Sequence, residues 1–160
     1  MFSLTKTLAL LAVALITTVR GETHTVMFEN HCGAGIPMLI AQDGTVLSTG
    51  AAYNSTGPII DAIAFLQTGS CGAKGEGCST VDITLQNPTS PGGGSSADIT
   101  VVPPHAFSVV TGFGYFNGCD GAGMDCTIPG CPNAFLTPGG PPIVVACQTD
   151  NVNLVVTFCD

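Results

Sequence analysis

The stretch Asn151-Val-Asn-Leu-Val-Val-Thr-Phe-Cys-Asp160 decides how this chain folds. Apolar and β-branched residues dominate it (Leu154, Val155, Val156, Thr157, Phe158), which is the composition of a strand. A cysteine stands one residue before the end. A terminus frays unless something ties it down, and Cys159 can supply the tie. Its natural partner is the first cysteine, Cys32, which follows an opening strand, Thr25-Val-Met-Phe-Glu-Asn30. That pairing would close the chain into one loop with both ends in the same sheet.

The other end of the sequence is a targeting segment. Residues 1–21 carry Lys6, then the apolar run Leu8-Ala-Leu-Leu-Ala-Val-Ala-Leu-Ile16, and close on Val19-Arg20-Gly21. The run is too short to span a bilayer, so a cleaved secretory signal is expected, leaving residues 22–160 as one domain. Without Lys6 and Arg20, Lys74 is the one Lys or Arg left against eleven Asp and Glu, a net charge of −10 with neutral histidines. Such a surface repels phosphate backbones and anionic lipid, which excludes nucleic acid and membrane as partners. Neutral polymers and cationic partners remain.

Eight cysteines in a secreted chain read as four disulfides. No Cys-x2-Cys pair supports a thiolate metal site. His24, His31 and His105 lack ligand spacing, and Asp120 and Asp125 lack the calcium-loop pattern. Gly92-Gly-Gly94 has no following lysine and is a linker rather than a phosphate cradle. There is no Gly-x-Ser-x-Gly and no free cysteine for nucleophilic catalysis. No metal and no cofactor are expected.

Between the two ends, short strands alternate with Gly/Pro turns. Pro37–Gln42 and Thr45–Ser48 flank Asp43-Gly44, which predicts a hairpin with a type I′ turn. Asn54-Ser55-Thr56 is an N-glycosylation sequon beside Gly57-Pro58, expected in an exposed loop. Ile59–Leu66 suits a short helix by length or a strand by its glycine and proline bounds. Cys71–Cys78 is a glycine-rich loop closed on itself. Thr80-Val-Asp-Ile-Thr-Leu85 alternates cleanly: Val81, Ile83 and Leu85 face a core, and Thr80, Asp82 and Thr84 face away. Asp98–Val102 and Ala106–Val110 are further strands, Gly112–Gly118 an aromatic turn, and Ile143–Ala146 a strand before the last. The pattern predicts an all-β, antiparallel sandwich with no second domain.

These residues resemble the thaumatin-like family. Thr25-Val-Met-Phe-Glu-Asn-His-Cys32 is similar to its opening strand, and Gly69-Ser-Cys-Gly72 with Cys78 to its Gly-Asp-Cys-Gly loop. Asn117-Gly-Cys119, Cys126 and Cys131-Pro132 resemble its middle series. Val145-Ala-Cys147 with Val155-Val-Thr-Phe-Cys159 resembles its closing motif. The chain looks like a short, eight-cysteine member of the kind that basidiomycete fungi secrete. The resemblance implies bridges Cys32–Cys159, Cys71–Cys78 and Cys119–Cys147, with Cys126–Cys131 formed by the remaining pair. It also implies that the disulfide-rich second domain of larger members is missing, since fifteen residues separate Cys131 from Cys147. A shallow or one-sided cleft follows.

The resemblance further implies an acidic cleft for glucan. Asp82 and Asp98 match two of its carboxylates, Thr80 stands where the family has an arginine, and Pro103 falls where a further acid is usual. Two carboxylates, one protonated and one ionised, are the minimum for glycoside hydrolysis. Asp82 and Asp98 are therefore the candidate catalytic pair, with Thr80, Phe113, Tyr115 and Phe116 as candidate sugar contacts. The expected function is a secreted, extracellular or wall-bound monomer that binds cell-wall β-1,3-glucan, with weak endo-glucanase activity. The alternative is a protein-directed defence, effector or glycosidase-inhibitor module without catalysis.

Overall fold

The alternation in Thr80–Leu85 becomes a strand inside a six-stranded sheet, and its two faces define the molecule. The structure is a computed structural model that describes residues 21–140 and 143–160; the signal segment expected over residues 1–21 lies, but for Gly21, outside them. Eleven strands follow in order: β1 (Thr23–Asn30), β2 (Ile36–Ile40), β3 (Val46–Ser48), β4 (Tyr53–Thr56), β5 (Ile59–Gln67), β6 (Thr80–Leu85), β7 (Ser95–Thr100), β8 (Thr111–Phe116), β9 (Gly123–Cys126), β10 (Val145–Cys147) and β11 (Asn153–Phe158). There is no helix among the described residues. The strands form two sheets, ordered β4-β1-β11-β8-β9 and β10-β7-β6-β5-β2-β3. Val26, Leu39, Ala64, Val81, Ile83, Ile99, Leu154, Val156 and Phe158 fill the space between them. This is a disulfide-stabilised β-sandwich.

The closing stretch is the middle strand of the five-stranded sheet. β11 pairs antiparallel with β8 and parallel with β1, in register from Val26 opposite Leu154 to Asn30 opposite Phe158. Parallel strands finish at the same end, so Cys32 and Cys159 leave their strands side by side and bond, with Cα atoms 5.0 Å apart. The His31 N–H donates to the Phe158 carbonyl at 2.9 Å, and the His31 ring meets the Asp160 carboxylate at 2.8 Å. The other bridges are Cys71–Cys78, Cys119–Cys147 and Cys126–Cys131.

Several local expectations change. Asp43-Gly44 does not form a type I′ turn, because only Gly44 takes a positive φ, of 91°. The Asp43 carboxylate instead accepts the Thr45 N–H at 2.9 Å, and the Ala41 N–H closes on the Thr45 carbonyl. The result is a three-residue hairpin loop with a left-handed last residue. Ile59–Leu66 is a strand throughout. Ala106–Val110 is not a strand, since its backbone groups bond singly to Cys78, Ser79 and Cys159 rather than along one neighbour. Gly112–Gly118 is mostly strand β8, paired on both sides. Asn54 lies in the edge strand β4 rather than in a loop.

Candidate functional site

Outward-facing residues of β5, β6 and β7 make a floor of two rows. Register places Asp82 opposite Asp98 on one side and opposite Ile63 on the other, so the first row is Ile63, Asp82, Asp98. The second row holds Thr84 opposite Ser96. Its third member arises from a bulge: between Ile59 and Ala62, β5 spends two residues where β6 spends one. Asp61 sits in that bulge with a φ of 49°, and its N–H donates to the Thr84 hydroxyl at 3.2 Å. Asp61 accepts from the Gln42 amide at 2.9 Å and from the Thr84 hydroxyl at 3.4 Å. With Gln42 at the rim, these residues enclose a shallow groove of about 500 Å³.

The next row, on the other side of Asp82 from Thr84, is closed. Thr80 faces outward as alternation requires, yet it is fully buried, as is Phe65. The Cys71–Cys78 loop lies over them: a Cβ on Gly75 would come within 2.7 Å of the Thr80 methyl and 3.0 Å of the Phe65 ring. Gly75 has a φ of 78° and no side chain, which lets the loop lie this close. The His105 ring pins it by a 2.9 Å bond at the Gly75 carbonyl. Thr80 is therefore not available to a ligand; its hydroxyl donates to the Thr100 carbonyl instead.

The aromatic candidates are corrected as well. Phe113 and Tyr115 are 4% and 3% exposed and pack edge to face in the core, with ring centroids 6.2 Å apart. The Tyr115 hydroxyl donates to the Val145 carbonyl at 2.9 Å. Phe116 alternates to the outer face of the five-stranded sheet, across the sandwich from the groove. None of the three lines the groove. Asp61 was not among the candidates. The one signal for it was an acidic residue inside an apolar run.

Electrostatics single out the first row. Burial pushes the Asp98 carboxyl up to about 6, with the Asp82 charge adding to the effect. Asp82 is also raised, first by burial, against an opposing pull from the His105 charge, with Asp61 adding a smaller upward push. Hydrogen bonds contribute to neither shift, so no donor among the described residues stabilises either charge. Like charges directly opposed on a sheet are unfavourable, and here the pair is half-buried as well. Such a pair can share a proton, donate it, or accept hydrogen bonds from a ligand. Among the described residues, no group of three His, Cys, Asp or Glu side chains is placed to hold a metal ion.

Fold and site together define a disulfide-stabilised β-sandwich with an acidic groove on one outer face. The chain matches no protein-family model and no curated protein. It is similar in structure to the protein elicitor MoHrip2 from Magnaporthe oryzae. That likeness has a TM-score of 0.48 and 13% sequence identity, and covers 87% of this chain and 99% of the other.

Proposed function

We propose that this chain is a secreted thaumatin-like protein whose acidic groove binds a neutral polysaccharide, cell-wall β-1,3-glucan. The observation that carries the reading is the half-buried Asp82–Asp98 pair, opposed in register and without a hydrogen-bond donor among the described residues. Sugar hydroxyls are donors that carry no charge, and they would relieve that unmet demand while the rest of the acidic surface repels polyanions. Four disulfides in a chain of this size favour an oxidising, extracellular setting. Residues 22–160 would act there as one monomeric domain.

The Asp98 carboxyl, raised to about 6, also favours weak hydrolysis, with Asp98 as the proton donor and Asp82 as the ionised partner. Directly opposed strand residues hold their Cβ atoms about 4.5–5.5 Å apart. That is nearer the roughly 5 Å carboxyl spacing of retaining glycosidases than the wider spacing of inverting ones. Cleavage should therefore release the β-anomer. A protein-directed role, as a defence, effector or inhibitor module, is favoured by one observation, the excess of acids over the single Lys74 beyond residue 21. A cationic partner protein would fit that surface.

Retention on insoluble curdlan tests the main reading. Wild type should be retained, and Asp82→Ala and Asp98→Ala should wash through with unchanged circular dichroism. A wild type that washes through, yet forms a stoichiometric complex with a purified hydrolase, would favour the protein-directed role.

A further inference from the structure

We propose that Asn54 carries an N-linked glycan, and that this glycan covers the open edge of the five-stranded sheet and keeps the protein from pairing with itself. The inference rests on the secretion proposed above, because transfer takes place on entry to the secretory lumen. Asn54-Ser55-Thr56 falls in β4, which pairs with β1 on one side and is the edge of its sheet on the other. Asn54 and Thr56 are both exposed and point away from the core, while Tyr53 and Ser55 turn inward. The Thr25 hydroxyl donates to Asn54 Oδ1 at 2.8 Å. This bond engages the amide oxygen, and the amide nitrogen has no hydrogen-bond partner among the described residues.

The covalent step is a glycosyl transfer. The Asn54 amide nitrogen attacks the anomeric carbon of an oligosaccharide carried on a polyprenyl diphosphate. The new N–C bond replaces the C–O bond to phosphate, the diphosphate leaves with the electron pair, and the nitrogen gives up one proton. The host's own transferase supplies the donor.

What the sugar would cover is visible on the same face. β1 opposes Asn54 with Thr25, so Met27 is the diagonal neighbour and is 41% exposed. Residues in that relation lie about 7–8 Å apart, within reach of the first sugar ring. An unpaired edge beside exposed apolar residues is a template for pairing with a second copy. β4 contains no charged residue, proline or bulge that would discourage this.

The full chain, expressed in a secreting yeast, tests the proposal by intact mass before and after peptide N-glycosidase. Sedimentation in about 0.15 M salt, where charge repulsion is largely screened, gives the oligomeric state. Wild type should lose mass on digestion, and both Asn54→Gln and Thr56→Ala should show no loss. Both variants, which lack the glycan without gaining a charge on β4, should shift from monomer toward dimer at high concentration. Secreted wild type with no mass loss overturns the glycan, as does a loss that persists in both variants. Secreted variants that both stay monomeric overturn the covering role. Failure of the wild type to be secreted counts against the secretion on which the proposal rests.

Discussion

Asp98 and Asp82 face each other across the β6–β7 pair, and the order of causes at Asp98 leads to a measurable asymmetry. Burial is the larger cause and the Asp82 charge the smaller. In Asp82→Asn, the Asp98 carboxyl should fall only part of the way back and still titrate above the ordinary carboxylate range. Carboxyl carbon chemical shifts followed against pH would show this; a full return to an ordinary value would mean that the neighbour, not burial, is in control. The stability consequence has a definite sign. Unfolded, Asp98 titrates near 4; folded, it titrates at about 6. Between those values the folded state holds the extra proton, so stability falls as pH rises from about 4 to about 6 and is level above. A two-unit shift is worth at most about 3 kcal/mol. Asp98→Asn should remove that slope and raise the pH 7 melting temperature by about 3–8 °C, with no gain at pH 4. Calorimetry at the two pH values checks it, and an equal gain at both would contradict the assignment.

At the scale of elements, two devices hold the fold together. The Cys32–Cys159 bridge spans 127 residues and ties the exits of the parallel β1–β11 pair. In the chain-entropy model such a closure stabilises by about 4–5 kcal/mol. Cys159→Ser should therefore lower the melting temperature by ten degrees or more, on the order of several degrees per kcal/mol, while leaving the groove's ligand affinity intact in the cold. The second device is the Cys71–Cys78 loop. Gly75→Ala places a methyl group against Thr80 and Phe65 at a positive φ. It should cost roughly 1–3 kcal/mol and speed amide exchange in residues 71–78. Unchanged exchange would show that the loop is not packed as described.

These elements also show where the sequence was readable. The two-residue alternation of Thr80–Leu85 places Asp82 and Thr84 outward without ambiguity, because a strand permits only two faces. The same rule puts Thr80 outward, but it cannot announce a roof delivered by a loop from elsewhere in the chain. Phe113 and Tyr115, whose separating glycines suggest a turn, belong instead to a strand whose glycines fall on the outer face of the sheet. Asp61 was hidden because a bulge is a property of the pairing between two strands, and neither strand reveals it alone.

For the whole molecule, the sandwich puts the terminal bridge on one sheet and the acidic groove on the other. One sheet carries the terminal strand, and through β1 and β11 it carries the bridge that closes the chain. The other presents Asp61, Asp82 and Asp98 on three adjacent strands around a groove of about 500 Å³. Mutations in the first should move stability, and mutations on the outer face of the second should move ligand affinity. The central claim is that this outer face is the glucan site. Its most direct test is a titration of isotope-labelled protein with a soluble β-1,3-glucan oligosaccharide, followed amide by amide. The account predicts shifts confined to Asp61, Ile63, Asp82, Thr84, Ser96, Asp98 and their strand neighbours, and their loss in an Asp82→Asn, Asp98→Asn double variant that remains folded. No shifts at millimolar sugar, or shifts centred on the five-stranded sheet, would contradict it.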